Sequence, residues 1–183
     1  MSSVLDEAVT VQAGAERLFS RAEVEAALDR MALTINARLA DRNPLLLAVM
    51  IGGVVPMGLL LPRLTFPLQL DYLHVTRYRG TTSGSALHWI KHPDISLHGR
   101  VVLVVDDVLD EGLTLAAIVE ACTIRGASEV LTAVLVEKRL ENREGLARAD
   151  FTGLCADNRY LFGYGMDYKL YLRNADGIFA VSP

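Results

Sequence analysis

The sequence predicts an α/β fold: a mostly parallel, twisted sheet flanked by helices. Three observations carry that expectation. Short apolar runs of strand length alternate with helical patterns along most of the chain. Two of those runs, 45–51 and 101–105, are apolar throughout rather than alternating, as strands covered on both faces are. The 183 residues, 51% of them apolar, are enough for one well-filled core, so a single domain over 1–183 is expected.

The opening MSSVLDEAVTVQAGAERL carries early acids and no basic stretch, so no signal peptide is expected. Ser20 and Glu23 stand at capping-box spacing. Val24, Ala27, Leu28, Met31, Ile35 and Leu39 follow at helical intervals up to Asn43-Pro44, an amphipathic helix. The uncharged run LLLAVMIGGVVPMGLLL (45–61) skirts the lower length limit of a membrane span. Pro44, Gly52-Gly53, Pro56 and Pro62 divide it instead into a buried strand (45–51), a tight turn and a short helix with Pro56 in its first turn, and no membrane partner is expected. LQLDYLHVTRY (68–78) reads as a second strand, and RGTTSGSA (79–86), too small and polar to pack, as a mobile loop. VVLVV (101–105) is a third strand, followed by a loop over 106–113 and a helix over 114–125 that stops at Gly126. A further strand covers 129–136, and residues 150–182 alternate strand-like pieces, DFTGLC and GIFAVS, with aromatic turns.

The loop VVDDVLDEGLT (104–114) is where chemistry concentrates. In an open α/β sheet, ligands lie outside the carboxyl ends of the strands. The helix entered near Thr114 presents backbone N–H groups and a positive dipole end, which favours a phosphate. Asp106 and Asp107 favour the opposite partner, hydroxyl donors or a divalent cation, because ionised carboxylates only accept hydrogen bonds. A molecule with a phosphate at one end and a diol close by satisfies both, and a ribose 5-phosphate is such a molecule.

Charge and cysteine usage narrow the rest. A net charge of -4 and pI near 5.5 give no basic face, so nucleic acid is not expected as a partner and the ligand is expected to be small. Cys122 and Cys155 have no CxxC spacing and read as buried reduced thiols of a cytoplasmic protein. His88 and His92 have i, i+4 spacing, but nothing supplies a third metal ligand and Pro93 follows at once; a surface or lid role is expected instead.

An apolar strand, two acids, two apolar residues and D-x-G-x-T closely resemble the phosphoribosyl diphosphate loop of type I phosphoribosyltransferases. Over roughly residues 45 to 180 the chain is similar to the hypoxanthine-guanine branch of that family, whose D-Y-x-x-x-x-R signature is matched by DYKLYLR within 165–174. The resemblance implies the type I fold with a core over about 24–150 and a small hood from about 1–20 and 151–183. It implies a pyrophosphate-binding turn at Gly52 and Gly53, where a non-proline cis peptide is usual. Tyr78, Arg79, Gly80, Thr81, Thr82 and Ser83 match a lid over the reacting centre, and Asp106, Asp107 and Asp167 match the magnesium side. Arg173 corresponds to a residue near the pyrophosphate.

By the same resemblance Lys138, just past its strand, reads the purine 6-oxo group; Tyr160 stacks on the base and the main chain of Leu161 contacts its edge. Glu111, Gly112, Leu113 and Thr114 wrap the 5-phosphate, and Asp110 is the general base. The implied reaction transfers the phosphoribosyl group from phosphoribosyl diphosphate to hypoxanthine or guanine with Mg2+, through an oxocarbenium-like transition state. Dimers or tetramers are usual in the family, and a cytoplasmic location follows from the role.

Bland readings exist for each residue. The acid pair alone fits a solvated Asx turn, Lys138 lies in the charged run EKRLENRE, and Tyr160 could be core packing. Four positions depart from the family pattern: Ile51 replaces a basic residue, Glu111 a threonine or serine, Asp106 the commoner glutamate, and Leu113 a residue that is polar in some relatives. A xanthine-preferring enzyme and a nucleotide-sensing regulator on the same fold are the alternatives; the latter needs a basic face that Arg139, Arg143 and Arg148 do not make. A response-regulator receiver, which VVLVVDD imitates, needs a longer chain after the acid pair than the 76 residues that follow Asp107.

Overall fold

The two runs with no polar alternation lie at the centre of the molecule. In chain order, the computed structural model, which describes residues 3–77 and 87–182, contains α1 (Val4–Gly14), β1 (Glu16–Ser20), α2 (Arg21–Leu39), β2 (Leu45–Met50) and α3 (Val54–Leu60). There follow β3 (Gln69–Arg77), β4 (Leu87–Lys91), β5 (Val101–Leu109), α4 (Leu113–Ile124), β6 (Glu129–Arg139), β7 (Phe151–Asp157), β8 (Leu161–Phe162) and β9 (Gly177–Ala180). A six-stranded sheet has the order β4-β3-β2-β5-β6-β7, parallel except for the β3–β4 pair.

Period-two alternation sends β2 and β5 into two cores. Leu46 and Leu103 pack with Leu28 and Ile35 of α2 and Met57 of α3 on one face, whereas Leu45, Leu47, Val102 and Val104 meet Leu115 and Ile118 of α4 on the other. Leu28 is fully buried, worth about 2 kcal/mol, and truncating it to Ala would cost about 2–5 kcal/mol. The foreseen capping box begins α2: the Glu23 N–H donates to Ser20 Oγ (3.4 Å) and the Ser20 N–H to Glu23 Oε2 (2.8 Å). A second, three-stranded antiparallel sheet, β1-β9-β8, joins a segment near each end of the chain.

Several boundaries differ from the sequence reading, each for a physical reason. The strand expected to end at 105 continues as β5 through the acids, because Asp106, Val108 and Leu109 still pair with Val134, Val136 and Glu137. β6 therefore also runs on, and Lys138 lies within it rather than past it. The hood boundary at 151 falls one strand too early, since β7 is the edge of the main sheet, paired in parallel with β6. Neither α1 nor β4 was legible; α1 starts on a capping box of its own between Ser3 and Asp6. The helix expected after Gly53 divides into α3 and a 3-10 turn, Leu61–Arg63, and 79–86 lies outside the described residues. The uncharged run 45–61 is strand, turn and helix, and among the described residues no helix is long and apolar enough to cross a membrane. Both cysteines are free, but only Cys122 is buried, its thiol pushed up to about 11 by desolvation; Cys155 is exposed.

Candidate active site

The carboxyl end of β5 delivers two acids into the interior. Asp106 and Asp107 are 9% and 8% exposed, and the Asp107 N–H donates to Asp106 Oδ1 at 2.9 Å. Burial pushes both carboxyls above the ordinary aspartate range. The negative charge of Asp107 raises Asp106 further, while hydrogen bonding to Asp106 and the charge of Arg173 restrain Asp107.

Arg173 reaches the pair from the last long loop. Its guanidinium is 2.6 Å from Asp167 Oδ1 and 3.9 Å from Asp107 Oδ2, and it donates to the Gly165 carbonyl. Asp106, Asp107 and Asp167 therefore do not converge as a cage of three carboxylates: Asp167 is held by the arginine. Among the described residues no group of three or more His, Cys, Asp or Glu side chains could hold a metal ion, which includes His88 and His92. His92 instead stacks on Trp89 with ring centroids 4.5 Å apart.

Backbone crowding beside the acids explains the glycines. A Cβ on Gly52 would overlap the Asp107 carboxylate, and one on Gly53 would lie 2.5 Å from the Val105 carbonyl. The chain thus brings the turn after β2 directly against the end of β5. A cis peptide joins Met50 to Ile51 at this turn, and Ile51 is exposed.

At the other side of the acids the chain turns into α4. Gly112 takes the left-handed conformation (φ 78°) and lacks a side-chain cap, so backbone N–H groups form the start of the helix. Glu111 is exposed and Leu113 and Thr114 are half-buried; Asp106 to Gly112, Thr114 and Leu115 line one cleft of about 380 Å³, to which Leu113 does not contribute. A second cleft of about 380 Å³ shares Asp106, Asp107, Asp110 and Thr114 with it and extends to Gly52, Lys138, Tyr160, Leu161, Asp167 and Arg173. Lys138 Nζ lies 2.7 Å from Asp110 Oδ2 where the two clefts meet. Tyr160 is 53% exposed and so is not core packing, whereas Leu161 is buried at the start of β8. The expected lid, Tyr78 to Ser83, lies outside the described residues.

One central residue was missed in the sequence. Arg143, within the run that reads as a solvated charged face, has a side chain only 7% exposed. It donates to the carbonyls of Asp110 (2.7 Å), Ala147 (2.5 Å) and Lys138, and sits 3.2 Å from Glu137 Oε1. The same segment reinforces the loop, as the Gly145 N–H donates to the Glu111 carbonyl (3.0 Å) and the Leu146 N–H to the Gly112 carbonyl (3.0 Å). Charge type and spacing do not announce this; only the close approach of Gly145 to Gly112 hints that the run folds back.

The assembled surface has four chemical parts: N–H groups for an anion, buried acids for hydroxyls or a cation, an arginine, and a lysine that shares its cleft with an exposed aromatic ring. Residues 14–169 match the family described as the phosphoribosyl transferase domain. The hypoxanthine-guanine phosphoribosyltransferase of Streptococcus pneumoniae (strain R6) is 31% identical over 159 residues, covering 86% of this chain and 87% of that one. The bifunctional protein TilS/HprT of Listeria innocua is 32% identical over 91% of this chain, which spans only 26% of that protein's length. A crystal structure of a hypoxanthine phosphoribosyltransferase from Staphylococcus aureus superposes with a TM-score of 0.87, at 23% identity, over 100% of this chain and 97% of that one, a likeness of fold.

Proposed function

Because the chain belongs to the phosphoribosyltransferase family, in its hypoxanthine-guanine branch, we propose that it transfers the 5-phosphoribosyl group from phosphoribosyl diphosphate to hypoxanthine and guanine. The observation that carries this reading is the 2.7 Å meeting of Asp110 and Lys138 at the junction of the two clefts. One cleft ends on the start of α4 and suits a sugar phosphate; the other carries Tyr160 and suits a flat ring.

In this mechanism Gly112 to Thr114 hold the 5-phosphate through backbone N–H groups, with Glu111 turned outward, and Asp106 and Asp107 accept hydrogen bonds from the ribose hydroxyls. The purine stacks on Tyr160. Lys138 leaves Asp110 to donate to the 6-oxo group; an ammonium has no lone pair to accept from the 6-amino group of adenine, which sets the preference for oxopurines. Asp110, released from its ion pair, takes the proton from the purine ring nitrogen as that nitrogen replaces pyrophosphate at C1 of the ribose. Positive charge on the sugar ring in the transition state is favoured by the nearby carboxylates. Arg173 and the Gly52-Gly53 turn face the leaving pyrophosphate.

The residues fit Mg2+ of the kind that arrives with substrate: hard oxygen donors are present as one buried carboxylate pair, not as a protein cage. Asp106 and Asp107 would hold it, and when bound it supplies charge neutralisation for the pyrophosphate. Small molecules are the partners of this reading, in a cytoplasmic protein that self-associates as its family commonly does.

Incubation with phosphoribosyl diphosphate, Mg2+ and each of hypoxanthine, guanine, xanthine and adenine, following nucleotide and pyrophosphate together, tests it. Transfer to hypoxanthine or guanine and none to adenine is expected. No nucleotide from any purine would overturn the assignment, and xanthine as the best acceptor would change the substrate.

A further inference from the structure

Helix α1 precedes nearly all of the segment matched to the family domain, which begins at residue 14. Its Glu7 side chain makes contacts that the reaction outlined above does not require. Glu7 Oε1 accepts the Tyr168 hydroxyl at 2.7 Å, and both its oxygens take Lys169 Nζ, at 2.7 and 2.8 Å. Tyr168 in turn meets Tyr160 edge to face, with centroids 5.6 Å apart and planes inclined at 69°. A continuous path thus runs from α1 to the ring proposed to stack on the purine.

The loop that Glu7 grips is conformationally costly. Tyr164, Lys169, Leu170 and Leu172 have φ of 48°, 47°, 72° and 67°, the left-handed region that side chains other than glycine and asparagine avoid. Such residues persist only where surrounding contacts over-determine them. Leu170 is 80% exposed, so packing does not hold it. The loop's own bonds are mainly to backbone: the Leu170 N–H donates to Asp167 Oδ2 (2.7 Å), the backbones of Tyr168 and Tyr171 pair reciprocally at 2.9 Å, Gly163 and Met166 pair at 3.0 and 3.2 Å, and the Gly165 N–H donates to the Arg173 carbonyl (3.0 Å). The Tyr168 hydroxyl and the Lys169 ammonium donate instead to Glu7. Asp167 lies within this stretch and Arg173 directly follows it, both lining the cleft.

We propose that α1 is a strut for the purine side of the cleft, with Glu7 as a positioning residue that holds the 164–172 loop and, through Tyr168, the ring of Tyr160. Its own footing is firm: α1 is capped at Ser3, Ala8 is buried, and Ser182 Oγ donates to the Gly14 carbonyl at 2.7 Å. Hydrogen bonds from Lys169 and then Tyr168 keep the Glu7 carboxyl below the ordinary glutamate range, so the grip is charged at neutral pH. The purine-binding consequence rests on the functional reading above, whereas the hold on the loop does not.

The test uses the full chain and three variants, E7A, E7K and the swap E7K/K169E. Amide hydrogen exchange of peptides spanning 164–172 in the ligand-free protein should quicken about tenfold in E7A, with the β5 peptides unchanged. The KM for hypoxanthine should rise about two- to fivefold in E7A with kcat nearly constant, the scale of an exposed ion pair. E7K sets a second ammonium against Lys169 and should exceed E7A in both readouts; the swap restores opposite charges and should return both toward the parent. Melting temperatures should stay within about 4 °C of the parent, which separates a local effect from general destabilisation. Parent-like exchange in both E7A and E7K, or a swap as impaired as E7K, overturns the strut. Faster exchange with an unchanged hypoxanthine KM overturns its link to the purine. A parent that transfers to no oxopurine overturns the catalytic reading, and the exchange data then decide the strut by themselves.

Discussion

Replacing Asp106 with asparagine should stabilise the ligand-free protein and lessen its response to pH. Asp106 and Asp107 are 9% and 8% exposed, and desolvation holds both carboxyls above their ordinary range. The pair therefore retains a proton that the unfolded chain has released. Where the folded state binds one more proton than the unfolded, stability falls as pH rises, by about 1.4 kcal/mol per pH unit. That loss begins at the unfolded aspartate value, about 3.9, and is complete once pH has passed the raised folded value. Glu7, Glu23 and Asp71 have lowered values and act in the opposite sense. Their contribution is lost only as pH falls through the carboxylate range, so it does not mask a slope above it. For a chain of this size the slope amounts to about 3–6 °C in melting temperature per pH unit. Asparagine keeps the oxygen that accepts the Asp107 N–H and removes one of the two titrations, leaving that of the buried Asp107 carboxyl. Its melting temperature should lie several degrees above the parent's near neutral pH and fall less steeply as pH rises, the remaining slope belonging to Asp107. Scanning calorimetry of both proteins without substrate or divalent cation reads this directly. A variant that melts lower than the parent, or that tracks its pH dependence, would refute the claim that this pair stores unfavourable charge.

Three further substitutions bear on the site. Asp110→Asn should lower turnover by about 10²-fold or more in steady-state assays with little change in melting temperature, since the carboxylate is half exposed. Lys138→Ala should raise the KM for hypoxanthine and guanine while leaving that for phosphoribosyl diphosphate nearly unchanged, measured by varying each substrate in turn. Arg143→Leu strips the Asp110, Lys138 and Ala147 carbonyls and the Glu137 carboxylate of one buried donor, and breaking a buried pair costs about 3–5 kcal/mol, or about 6–20 °C in melting temperature.

The legible parts of the fold were those set by short-range rules. Leu45 to Val49 and Val101 to Val105 had to be covered on both faces because nothing in them tolerates water. Ser20 and Glu23 had to start a helix because their side chains satisfy each other's backbone donors. The ends of β5 and β6 were not legible, since a strand that continues past its apolar run does so for pairing with a neighbour remote in sequence. For the same reason β7 looked like part of the hood: Phe151–Asp157 has its partner in β6, and no local pattern names it.

Within the candidate site, legibility followed chemistry type rather than location. Acids after an apolar strand, paired glycines and a glycine before a helix are visible because few other arrangements use them there. Arg143 and Glu7 are ordinary charged residues whose importance comes from what they meet. Even the recognised residues are placed by long-range geometry. Asp110 and Lys138 are 28 positions apart and meet only because β5 and β6 are parallel neighbours running past their apolar cores in register. A shift by one residue would turn one of the two side chains to the opposite face of the sheet. Arg143 resists it by binding both carbonyls, so the chemistry at the cleft depends on a side chain that need not touch the substrate.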